Sequence, residues 1–238
     1  FKLLVGYVAG MPFHFALNIT KPPTNELAVR QAMNYGVDRE AIVKVVYGAY
    51  QAIKANTAAY NILTPNTFGY DPTAELYRRY DPEKAKKLLE DAGWKLNPAT
   101  GIREKDGRPL QIILATWEEK SVAEVAQAQL REIGIDVIVR VLPALTVNEV
   151  QRKGESHGSP VPAARSDPDV VRTLFHSSNI GGYNLVFVKD PELDAWLDAA
   201  AGETDRQKRA ELYSKVEHKV MEQALTFPMY NRDNVVAI

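Results

Sequence analysis

The spacing of apolar residues changes repeatedly along the chain, and each change of period marks an element. The opening stretch KLLVGYVA is almost continuously apolar, and FHFALNI alternates so that Phe13, Phe15, Leu17 and Ile19 share one face. Both predict strands, with Gly10, Met11 and Pro12 turning between them. In VRQAMNYGVDREAIV the period lengthens: Val29, Ala32 and Met33 make one helical stripe, and Ala41, Ile42, Val45 and Val46 make a second. Gly36 is expected to close the first helix in the left-handed conformation, and Asp38 to cap the second. YDPEKAKKLLEDAGW carries a complete set of helix signals, with Asp81 as cap, Pro82 at the first helical position, Leu88 and Leu89 inward, and Gly93 as stop.

The most informative unit lies beyond it. LQIILA predicts a strand, residues 122–133 a helix closed by Gly134, and IDVIVRV a second strand. A right-handed crossover places residues 110–115 and 135–141 in one sheet with the helix across its face, so the fold class is α/β. Residues 51–80 are poor in helix signals and contain Pro65, Gly69 and Pro72; a loop of that length in a compact domain wraps a surface or serves a function. A short helix is expected after Pro143, then the loosest segment, RKGESHGSP. VPAARSDPDVVRTLF predicts a brief strand and a helix started by Asp167 and Pro168. Asp190 and Pro191 repeat that device, residues 206–223 form a long last helix, and FPMYNRDNVVAI is again strand-like. Apolar segments at both ends suggest that the two termini meet.

Composition narrows the function classes. With 238 residues and 45% hydrophobic content the chain can bury a sizeable core. Its 29 basic and 30 acidic residues leave a net charge of -1, which offers no electrostatic case for nucleic acid or an anionic membrane. No apolar run approaches the ~20 residues that span a bilayer. Cysteine is absent, so there is neither a disulfide framework nor a thiol nucleophile. His14, His157, His176 and His218 lack metal-ligand spacing, and no phosphate loop, nucleophile elbow or His-Glu-x-x-His helix is present. Glu118 and Glu119 read as solvated charge at a helix end, and Trp94 and Trp196 as core. Trp117 differs, because it follows a strand end, where open α/β sheets place their ligand crevices. Two polar loops complete the candidates. AARSDPD offers Arg165, Ser166 and Asp167, with Arg165 placed to hold a carboxylate by paired hydrogen bonds or to serve as a surface charge. SSNIGGYN offers Asn179 and Tyr183 around two glycines that permit close backbone approach, or a plain turn.

Taken together, several blocks resemble one family. LNITKPPTNELAVRQAMNYGVDREAIV looks like the signature region of the family 5 extracellular solute-binding proteins, the peptide- and nickel-binding class of ABC importer receptors. FGYDP, YDPEKAKKLLEDAGW, AQLREIGIDVIV, SDPD, DPELDAWLDAA and YSKVEHKVMEQALTFPMYN resemble its later blocks in order, covering nearly all of the chain. The resemblance implies a lobe of the type II periplasmic-binding-protein kind, a mixed sheet flanked by helices, and residues 1–238 as the second of two lobes. Segments 1–23 and 226–238 would cross to the other lobe, with 18–23 and 227–231 as hinges. In peptide-binding relatives an aspartate four residues before the proline that is Pro168 here holds the ligand's ammonium; that position is Ala164, and Arg165 beside it favours an anionic group. His176 lies near where a nickel-binding member would offer an imidazole.

The same resemblance implies a binding protein without a catalytic step or cofactor. It would capture a small polar solute, peptide-like or anionic, in an inter-lobe cleft lined by Trp117, Arg165, Ser166, Asp167, Asn179 and Tyr183. It would be exported behind a signal peptide and work outside the cytoplasm as a monomer, in the periplasm or lipid-anchored to the outer face of the membrane, delivering to an ABC permease. The alternative is an effector-sensing domain of a transcription regulator. An enzymatic reading through Glu118 or Asp167 lacks a paired base and nucleophile.

Overall fold

Long-range pairing begins at the chain ends. The computed structural model describes residues 2–48, 57–161 and 163–238. β1 (Leu3–Tyr7) leads into β2 (Phe13–Leu17), followed by α1 (Leu27–Tyr35), α2 (Arg39–Tyr47), a 3-10 turn at Pro72–Arg78 and α3 (Pro82–Asp91). Three short strands, β3 (Lys95–Leu96), β4 (Arg103–Lys105) and β5 (Arg108–Pro109), form a separate small sheet. Then come β6 (Gln111–Thr116), α4 (Lys120–Glu132), β7 (Asp136–Val141), α5 (Ala144–Arg152), β8 (Gly158–Pro160) and α6 (Val170–Phe175). The chain closes with α7 (Pro191–Gly202), α8 (Arg206–Glu222), β9 (Thr226–Tyr230) and β10 (Asp233–Ala237).

A five-stranded mixed sheet, in the order β7-β6-β8-β2-β9, is the centre of the molecule. β6 and β7 run parallel in register from Gln111–Asp136 to Thr116–Val141 with α4 between them, as the strand-helix-strand spacing predicts. One face of the sheet packs Phe13, Phe15 and Leu17 against α1, α2 and α4. The other packs Ala16 and Val161 against α6, α7 and α8. Helices thus cover both faces, which is why all five residues of β2 are buried despite their alternating pattern. Trp94 is buried in the first core, and Trp196 packs on the second.

Among the described residues β1 and β10 pair only with each other, antiparallel, from Leu3–Ala237 to Tyr7–Asp233, so the two end segments do meet. The ribbon leaves the sheet at the start of β2 and the end of β9, whereas residues 18–23 lie at the opposite end of β2.

Three expectations are corrected. Gly36 is right-handed (φ -77°), so its small size serves another purpose: a Cβ there would meet Ile133 Cδ1 at 2.5 Å. The supposedly loose RKGESHGSP contains β8, buried between β6 and β2, where a Cβ on Gly158 would meet Leu114 at 2.9 Å and Leu17 at 3.2 Å. The brief strand expected after it reduces to one bridge, Gly10–Ala164; Pro162 in that stretch and residues 51–56 of the helix-poor stretch lie outside the described residues.

Candidate functional site

Parallel strands β6, β7 and β8 all end at one edge of the sheet, where β2 begins and β9 finishes. Carboxyl ends of strands are where open α/β sheets leave crevices. Here the half-buried Trp117 follows β6 and borders a depression of about 380 Å³ with Met11, Phe13, Pro160, Val161 and Arg232. Val161, Ala163 and Ala164 form the wall shared with a second depression of about 570 Å³, which Arg165, Thr173 and Tyr183 complete. The two make one continuous, largely apolar surface.

Gly10 fixes that shared wall. Its φ of +114° is left-handed, and a Cβ would meet Ala163 O at 2.4 Å and Arg165 N at 2.6 Å. The near contact lets Met11 N donate to Ala163 O at 2.9 Å, while Thr64 N donates to Gly10 O and Thr67 Oγ1 accepts from Gly10 N. Segment 163–165 is therefore held against the link between β1 and β2. From it Arg165 stands exposed, without an ion pair to any described residue, and Tyr183 is 55% exposed across the second depression.

The predicted residues divide. Trp117, Arg165 and Tyr183 share the surface just described. Ser166 and Asp167 face a different depression with Phe68, Arg206 and Arg209. There Asp167 accepts from Arg209 Nη2 at 2.7 Å, and that hydrogen bond holds its carboxyl below the usual range. Asn179 uses its amide to donate to Arg172 O at 3.0 Å, tying its own turn to α6. His176 Nδ1 accepts from Ser178 N at 3.1 Å, and Nε2 lies 3.3 Å from Asp198 Oδ1. No group of three His, Asp or Glu side chains suited to a metal occurs among the described residues.

Pattern reasoning missed the surroundings of Trp117. Glu119 is not solvated charge at a helix end. Its carboxylate accepts hydrogen bonds from the Tyr47 and Tyr230 hydroxyls, and Arg232 Nη2 donates to Glu118 Oε1 at 2.9 Å. Burial, with the hydrogen bond to Glu119, pushes both phenols well above their ordinary range. Nothing in the linear order of residues 47, 119, 230 and 232 announces their meeting.

A mixed α/β sheet flanked on both faces by helices is the architecture found in type II periplasmic binding proteins. The family model for bacterial extracellular solute-binding proteins, family 5 (middle region), matches residues 4–181, and the chain belongs to that family. Over 127 residues it is 44% identical to the nickel-binding periplasmic protein of Escherichia coli K12, covering 51% of this chain and 23% of that protein. It is 32% identical over 219 residues to heme-binding protein A of Haemophilus influenzae, covering 91% of this chain and 38% of that one. Among solved structures, the oligopeptide-binding protein AppA of Bacillus subtilis, in complex with a nonapeptide, superposes with a TM-score of 0.84 at 27% identity, covering 98% of this chain and 47% of that one. The chain thus spans less than half the length of these relatives. They lend no support to the regulator reading.

Proposed function

We propose that the chain is one lobe of the substrate-binding component of an ABC importer, working outside the cytoplasm as a monomer and delivering a small polar solute to a membrane permease. Periplasmic and extracellular binding proteins among its relatives support that placement, and capture requires no covalent step. The remaining polypeptide forms the other lobe and closes over the surface at the carboxyl ends of β6 and β8, trapping the solute by contacts made only when the lobes meet. β1 and β10 cross to it. Their apolar residues Leu4 and Val236, 47% and 52% exposed, are the surface it covers. The pivot then falls at residues 8–12 and 231–232, where the ribbon joins the sheet, and the segment 18–23 belongs to the lobe's body.

One observation carries the reading: Arg165 has no counter-ion among the described residues and lines a depression with Tyr183, across the Val161–Ala164 wall from Trp117. Ala164 beside it offers no carboxylate for a ligand's ammonium. An anionic group on the solute satisfies Arg165 by charge-assisted hydrogen bonds, and its apolar part lies against Trp117 or Tyr183. The test is native mass spectrometry of the full-length protein, followed by calorimetry with the solute that co-purifies. A bound anionic solute is expected. Co-purification of a cationic or neutral solute instead, with affinity unchanged in Arg165→Ala, would overturn the assignment.

A further inference from the structure

The turn between β6 and α4 has an anomaly that helix capping does not explain. Glu119 occupies the cap position of α4 in the left-handed conformation, φ 58° and ψ 30°, yet its side chain caps nothing. An acidic residue at a helix start ordinarily accepts from the first amides, and a non-glycine residue rarely takes this backbone conformation. Here the carboxylate turns away from its own helix to Tyr47 at the end of α2 and Tyr230 at the end of β9. An observed backbone outlier held in place by its surroundings is a reason to ask what the strain accomplishes.

We propose that Glu119 is a positioning residue for Trp117: the Tyr47–Glu119–Tyr230 clamp, with the Arg232–Glu118 bridge, sets the turn that presents the indole and ties it to the link entering β10. The carbonyls flanking the indole already have partners. Thr116 O accepts from Leu142 N at 2.8 Å, Glu118 O accepts from the Thr116 hydroxyl, and Glu119 O accepts from Ala123 N at 3.1 Å. The side-chain clamp then decides which way the turn faces. Arg232 extends the connection: it lies 5.4 Å over the Phe13 ring, reaches Glu118, and its carbonyl accepts from Val8 N at 2.8 Å. Val8 directly follows β1 and Arg232 directly precedes β10, so a change in ribbon direction reaches Trp117 through one side chain. The coupling to closure rests on the two-lobe reading above; the clamp does not.

The experiment uses full-length protein labelled with 5-fluorotryptophan, with the Trp117 resonance assigned as the one lost in Trp117→Phe. The paired variant Tyr47→Phe/Tyr230→Phe removes both donors and leaves the backbone alone. Glu119→Gly removes the acceptor and relieves the left-handed backbone, so any effect on Trp117 cannot be ascribed to strain. Both are expected to at least double the width of the Trp117 fluorine line, or move it toward the free amino acid, with the Trp94 and Trp196 lines in place. Glu119→Gln, which keeps an acceptor oxygen for one tyrosine and loses the other, should give an intermediate line, as should Arg232→Gln. An unchanged Trp117 line in the tyrosine pair overturns the proposal. A line that answers to the clamp variants but to no titrated solute supports the clamp and counts against Trp117 as a cleft wall, so the two ideas fail separately.

Discussion

Replacing Gly10 by alanine tests how segment 163–165 is held. Three penalties add. The backbone sits at φ +114°, where a side chain costs about 1–3 kcal/mol. The new Cβ would also lie 2.4 Å from Ala163 O and 2.6 Å from Arg165 N, main-chain atoms that cannot swing aside. Overpacking of this kind costs about 1–3 kcal/mol. Relieving it breaks the 2.9 Å bond from Met11 N to Ala163 O, worth about 1 kcal/mol. The three sum to about 5 kcal/mol, or a fall in Tm of roughly 15 °C for a domain of this size. Gly101→Ala is the control, because Gly101 is also left-handed, at φ +70°, but has no atom within 4 Å of a built Cβ. It should cost only about 1 kcal/mol. Urea unfolding of both variants, with m unchanged, gives the comparison directly. Agreement of the two within about 1 kcal/mol would refute close packing at the 163–165 wall, because the contact with Ala163 O and Arg165 N must add to whatever the two backbones differ by.

Arg165→Ala should weaken an anionic solute by about 1.5–3 kcal/mol in calorimetry while moving stability by less than about 0.5 kcal/mol; equal affinities would return Arg165 to an ordinary surface charge. Burial lowers both His14 and His157 to about 4. Below pH 6.5 the unfolded chain takes up protons that the folded one refuses, so their contribution is complete above that pH and drains away toward pH 4, by about 2 kcal/mol each at pH 5. Denaturant titrations at pH 7.5 and 5 should show the fall, and His157→Gln should reduce the slope; a pH-independent midpoint would contradict it. Arg39 is fully buried, donating to Pro228 O at 2.5 Å and to Asn34 O at 2.9 Å, with the Tyr60 ring 5.2 Å away. Arg39→Met strands these carbonyls and should cost about 4 kcal/mol in chemical unfolding, against under about 1 kcal/mol if the guanidinium merely fills space.

Local signals carried most of the scaffold. Asp38, Asp81 and Asp190 cap their helices as their spacing indicates, with Asp190 accepting from Glu192 N and Leu193 N. The β6-α4-β7 unit stands where its periodicity put it, and the ordered blocks sufficed to place the chain in its family. These features are legible because a cap, a stripe or a crossover involves residues within a few turns of one another. Tertiary structure alone decided the rest. β8 is Gly-Ser-Pro, with no apolar run to mark it, and is a strand because Leu17 and Leu114 leave only a glycine's width between them. AARSDPD reads as one loop, yet its bend sends Arg165 toward Tyr183 and Asp167 toward Arg209. Glu119, an ordinary acidic residue at a helix start by every local rule, was claimed by tyrosines 72 residues before it and 111 after it. Such pairings depend on where distant elements come to rest, and a hydrogen bond between their side chains leaves no periodic trace in the sequence that encodes it.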